Sequence, residues 1–205
     1  MHRTQSPSAT AALATLLVAV SILSAAEDRR RYDAGPMTAD DFRGEAPDTV
    51  IAAAKTSTQF LFDFKYRYKS NAKNTTVTLD SITIDAFVRR DQSWNRDPTN
   101  KTLLDHEQGH ADIAQIHCLR AKLEFRKKLT KGPNISATAS SLKAAIAALD
   151  REVRKEMAEV EQANREDDAE YDRETRSGLG PKQAEWRRVQ VETIKQLETE
   201  LGKKR

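Results

Sequence analysis

Two hydrophobic periods divide the chain, and each predicts a different kind of element. Between Gln59 and Tyr68 the period is two, with Phe60, Phe62, Phe64, Tyr66 and Tyr68 alternating with Gln59, Leu61, Asp63, Lys65 and Arg67. That alternation predicts a β-strand with one aromatic face. Ser70-Asn71-Ala72-Lys73-Asn74 reads as a turn. A second alternating run follows through Val77 and Leu79, then Ile82, Ile84, Ala86 and Val88. Its phase slips by one residue at Asp80-Ser81, which predicts a bulge. The two runs are expected to pair as an antiparallel hairpin over residues 56–90. Before it, Thr38-Ala39-Asp40-Asp41-Phe42 reads as a short capped helical turn. After it, "DQSWNRDPTN" reads as a loop anchored by Trp94.

From Thr102 the period becomes helical. Leu103, His106, His110, Ile113, His117 and Ala121 share a face, flanked by Leu104, Ile116, Leu119, Leu123 and Phe125. This predicts a helix over 102–130, stopped by Gly132-Pro133. A second helix is predicted over 140–175, with Leu142, Ile146, Leu149, Val153, Met157 and Val160 as its stripe. The stripe fades into "NREDDAEYDRETRSG". Richness in Ala, Glu and Arg makes a coiled coil its bland alternative. Gly178, Gly180 and Pro181 break the chain before a last helix over 182–203, with Trp186, Val189, Ile194 and Leu197 apolar. The expected fold class is α+β, an N-terminal β-hairpin packed on a mainly α-helical part within one domain, 27–205.

The first 26 residues stand apart from this pattern. Arg3 precedes an apolar run from Ala9 to about Leu23, which ends in Ser24-Ala25-Ala26. This is the layout of a cleaved signal peptide. The run is shorter than the roughly 20 residues a membrane span requires. An exported chain, periplasmic or extracellular, without a stable membrane span is therefore expected. Removing Arg3 takes the formal charge from +3 to +2, and a nearly balanced chain gives no case for nucleic acid. The single cysteine, Cys118, cannot close an internal disulfide and reads as a small core residue.

Three of the four histidines fall between His106 and His117. Two of them frame a glutamate as His106-Glu107-Gln108-Gly109-His110, the H-E-x-x-H pattern of zinc metallopeptidases. Residues i and i+4 share a helix face, so both imidazoles can reach one Zn²⁺. Glu107, one residue on, sits beside such an ion and can take a proton from water there. His117 is an expected non-ligand, because seven residues of uninterrupted helix carry it roughly 10 Å beyond His110. The third ligand is then a carboxylate. A simple helical hairpin turning near Gly132-Pro133 would bring residues around 156–160 opposite the motif, with Glu156 on the stripe and Glu159 beside it. The other candidates lie in "YDRETRSG".

"LLDHEQGHADIAQI", "YDRETRSG" and "QAEW", together with "DDFRGEAP", "AAAKTSTQFLFDFKY" and "AFVRRDQSW", resemble the bacterial domain of unknown function 922 family. The resemblance runs from about Asp40 to Trp186. It implies a secreted, zincin-like, zinc-dependent protease. His106, Glu107 and His110 match that family's metallopeptidase core, and Tyr171, Asp172, Thr175 and Gly178 match its second motif. A histidine usual before that glycine is Ser177 here, so Asp172 or Glu174 would substitute. Asp172 is the first choice for third ligand, provided the second helix bends or ends before it. Glu156 and no third protein ligand stay open. The leading expectation is a zinc peptidase, a hydrolase acting on a protein or peptide, with Glu107 as general base. The alternative is a non-catalytic envelope protein that binds a partner through its long charged helices. The hairpin's edge is expected to hold an extended peptide by strand addition.

Overall fold

The computed structural model describes residues 28–132, 134–176, 178 and 180–203. The predicted leader, Pro133 and Ser177 lie outside them. The protein is mixed α+β. A short strand β1 (Arg29–Arg31) is followed by two 3-10 turns, the second of which carries a capping box between Thr38 and Asp41. The two-residue β2 (Ala54–Lys55) precedes the long strands β3 (Thr58–Ser70) and β4 (Thr75–Arg89). β5 (Trp94–Asn95) leads into α1 (Lys101–Thr130). After β6 (Ser136–Ala139) come α2 (Leu142–Thr175) and α3 (Gln183–Gly202).

The expected hairpin is present. β3 and β4 pair antiparallel from Thr58↔Val88 to Ser70↔Thr75, and the register shifts between Lys65 and Tyr66 so that Asp80 is unpaired. β1 and β6 pair with opposite ends of β4, at Arg89 to Phe87 and Thr75 to Thr78. β2 and β5 form a separate two-stranded ribbon, with Lys55 opposite Trp94. Trp94 is buried, as an anchor should be.

The main core fills the space between one sheet face and two helices. Phe60, Phe64, Tyr66, Val77, Leu79 and Ile84 meet Ala114, Cys118, Ala121 and Phe125 of α1 and Ala145, Leu149, Val153 and Met157 of α2. Phe62 and Tyr68, predicted for the same aromatic face, are only partly buried at its rim. Cys118 is fully buried, its thiol 3.4 Å from the Ile84 carbonyl. α1 is the central element, enclosed by the sheet, α2 and α3. Burial therefore runs round most of its circumference rather than along one stripe.

Two helical expectations are corrected. α2 does not end before Asp172. It is one helix to Thr175, where Arg176 takes a left-handed conformation at φ 49° and ends it. The α1–α2 connection is longer than a simple helical hairpin, because the chain first runs through β6. That detour moves the register by several residues and brings the C-terminal part of α2 to the motif. On α3, predicted apolar Val189 faces solvent at 45% exposure, and Gln190 takes the buried position. Among the described residues no helix is long and apolar enough to cross a membrane.

Candidate metal centre

The centre begins at the N-terminus of α1. Asn100 caps the helix through an acceptor bond from the Leu103 amide, 3.1 Å. The second and third turns then carry His106, Glu107 and His110, at 1%, 2% and 8% exposure. Burying three ionisable groups so completely is costly unless each is paired. Each of the three brings a donor atom within 4.8 Å of the other two, so the cluster can hold a metal ion.

α2 supplies the partners. Asp172 Oδ1 lies 3.0 Å from His106 Nε2 and 3.3 Å from His110 Nε2. Tetrahedral bonds of 2.0–2.2 Å would set such donor atoms about 3.4 Å apart. Asp168, one turn earlier on α2, accepts from His110 Nδ1 at 2.9 Å. Asn164, another turn back, donates to Asp168 Oδ2 at 2.9 Å. Behind His106, Nδ1 is 3.4 Å from Thr175 Oγ1, which itself donates to the Tyr171 carbonyl. Both imidazoles are thus held at Nδ1 from behind and turn Nε2 toward the same carboxylate oxygen. That arrangement calls for positive charge between them, which protons or a cation can supply.

The charge pattern agrees. Burial opposes the His110 imidazolium, yet its hydrogen bonds to the Asp168 and Asp172 carboxylates outweigh it and raise its pKa to about 10. Burial pushes Asp172 up, but the two histidines more than offset it and hold the carboxyl well below its ordinary range. Glu107 is raised, mainly by burial, although Thr56 donates to its Oε2 at 2.6 Å. These donors (two imidazoles with oriented second nitrogens, one carboxylate and an adjacent buried glutamate) fit a divalent ion of the zinc type.

Packing explains the glycine inside the motif. A Cβ on Gly109 would lie 2.2 Å from the Tyr171 hydroxyl oxygen. Tyr171 is fully buried, stacks on His106 at 4.7 Å and donates to the His106 carbonyl at 3.2 Å. Gly178, at φ +90°, closes beneath His106, where a Cβ would be 3.1 Å from the His106 Cβ. Tyr171, Asp172, Thr175 and Gly178 all therefore touch or back the motif helix.

The remaining candidates are elsewhere. Glu156 binds Lys128 Nζ at 2.5 Å, two turns or more from the centre, because β6 shifts the helix register. Glu174 points away, accepting from Lys182 Nζ and Trp186 Nε1 at 2.8 Å each. Glu159 lines a cleft beside His117 and Phe125. His117 binds Asp167 Oδ2 at 2.8 Å and does not reach the cluster. Asp168 and Thr56 were not singled out in the sequence. Asp168 had a signal, its i−4 spacing from Asp172; Thr56 had none.

A cavity of about 350 Å³ opens on His106, Glu107, His110, Asp168 and Asp172. Its other wall is Val50, Ala52, Ala53, Ala54, Lys55, Trp94 and Leu103. Thr56, at the start of the predicted hairpin, lines it too, and β2 is the strand that runs beside the cluster. A larger cavity, about 560 Å³, lies across α1 between Tyr32, Met37, Leu104 and Arg187. Its buried polar groups are already paired on Asp112, which accepts from Tyr32, Gln108 and Arg187. The His106, Glu107 and His110 cluster opens on the smaller cavity. No protein-family model, curated protein or solved structure matches the chain.

Proposed function

We propose that the protein is a zinc-dependent peptidase of zincin type, with His106, His110 and Asp172 as the metal ligands and Glu107 as the general base. The observation that carries this reading is Asp172 Oδ1 seated between two inward-facing Nε2 atoms, with a buried Glu107 next to them. A zinc ion held by His106, His110 and Asp172 would supply Lewis-acid chemistry for a carbonyl and for water. Glu107 is placed to take a proton from water and pass it to the leaving amine. Burial raises the affinity of Glu107 for the proton, and the Thr56 hydroxyl aims the carboxylate. Asp168 fixes the His110 ring, and Thr175 with Tyr171 fixes the His106 ring.

A peptide suits the cavity because β2 runs along it beside an apolar wall, and an extended chain can add to such a strand. The resemblance to the 922 family and the leader-like N-terminus support the same reading for an exported enzyme. A protein that only bound partners would have no use for a buried glutamate between two oriented histidines. The test is a broad peptide library with zinc supplied, comparing wild type with Glu107→Gln. Zinc-dependent cleavage lost in the variant supports the reading, and wild type no more active than the variant refutes it.

A further inference from the structure

His117 has no place in that chemistry, yet it is 6% exposed and bonded at 2.8 Å to Asp167. We infer that the His117–Asp167 pair is a brace that sets the position of α2 on α1 and so delivers Asp172 to the two imidazoles, making His117 a positioning residue. The inference rests on Asp172 being a ligand, as proposed above.

The argument is geometric. His110 and His117 are seven residues apart on α1, roughly 10 Å along the axis. Their carboxylate partners, Asp168 and Asp167, are neighbours on α2. Two bonds that start two turns apart and end on adjacent residues are inclined differently. No slide or roll of α2 along α1 preserves both. The apolar contacts between these helices lack such precision, since Leu149, Val153 and Met157 tolerate small shifts that a hydrogen bond does not. Asp172 is one turn beyond Asp168, so fixing residues 167 and 168 fixes the oxygen between the histidines. Arg120, 4.0 Å from Asp167, adds charge balance on the exposed side.

The test is zinc affinity, measured by competition with a chromophoric chelator. His117→Ala should weaken it about 10–100-fold, the usual effect of losing a support behind a ligand. Asp167→Ala removes the same bond from a half-exposed site without opening the core, and should lose as much. His117→Gln, whose amide can still donate to Asp167, should recover most of it. Lys128→Ala breaks another bond between these helices, 2.5 Å to Glu156 and away from the centre, and should change nothing. Unchanged affinity in both His117→Ala and Asp167→Ala overturns the brace, as does an equal loss in Lys128→Ala. Amide exchange in the metal-free proteins separates this from the function proposal. Exchange over Tyr171–Thr175 should quicken in His117→Ala and Asp167→Ala but not in Lys128→Ala. A wild type that takes up no zinc sinks the metal site and leaves exchange to judge the brace; unchanged exchange then overturns it.

Discussion

The two halves of the α1–α2 interface are built on opposite principles. In one half Ala114, Cys118, Ala121 and Phe125 meet Ala145, Leu149, Val153 and Met157, with no polar side chain among them. In the other, His106, Glu107 and His110 meet Asp168, Tyr171, Asp172 and Thr175, and nearly every group is polar. The apolar half is closed mainly by hydrophobic burial, at about 1.5–3 kcal/mol for each fully buried large side chain. The polar half carries desolvation costs that apolar residues of equal volume would avoid. That cost sets it apart from a packing contact, and the proposed metal centre accounts for it.

Substitutions can sharpen that contrast, and the largest expected effect is chemical. Glu107→Gln keeps shape and fold but cannot accept a proton, so turnover should fall by about 10²–10⁴ with zinc content unchanged. Steady-state kinetics beside elemental analysis checks both halves of that statement. Leu149→Ala should do the reverse, costing about 2–5 kcal/mol in denaturant unfolding, while the folded fraction still binds zinc as the wild type does. Gly109→Ala tests the seam between the halves. Its Cβ would collide with the Tyr171 hydroxyl, so a loss of about 1–3 kcal/mol is expected, together with weaker zinc binding as Tyr171 is displaced from His106. Stability without that second effect would mean the stacking does not hold the ring.

The smallest effect is the pH dependence of the metal-free protein. His110 is raised from 6.5 to about 10, so its contribution to stability is full below pH 6.5 and fades as pH climbs toward 10. Asp172 is lowered from 3.8, so its contribution is full above that value and fades as pH falls below it. Thermal melts of the metal-free protein should therefore lose stability on both sides of this window. Zinc must displace the His110 proton, so its affinity should rise with pH across the upper limb. A flat melting profile from pH 4 to 10 would mean the histidine–carboxylate contacts are not formed.

The two halves also differed in how far they could be read from sequence. Period-two alternation gave β3 and β4, and the slip at Asp80-Ser81 gave the bulge, because one buried face forces strict alternation. The helix expected over 140–175 is α2, and the apolar stripe to Val160 marks its first part. Beyond it the stripe vanishes, since the face toward α1 becomes Asn164, Asp168, Tyr171, Asp172 and Thr175, and polarity there reads as solvent exposure. The short, small-residue β6, "SATA", carried no strand signal, so the register offset it creates misplaced Glu156. Spacing alone gave His106, Glu107 and His110. Asp172 came from the second motif, and Thr56 depends on where β2 happens to pass.

The central claim is that the acidic end of α2 completes a metal centre begun on α1, and a zinc titration of wild type against Asp172→Asn tests it most directly. The change keeps the side chain's shape and removes its charge. The account predicts about one equivalent of zinc in the wild type and an affinity at least about 10-fold weaker in the variant, since a ligand should matter no less than the groups that support ligands. Zinc bound as tightly by Asp172→Asn as by wild type, or no zinc bound by either, would contradict it.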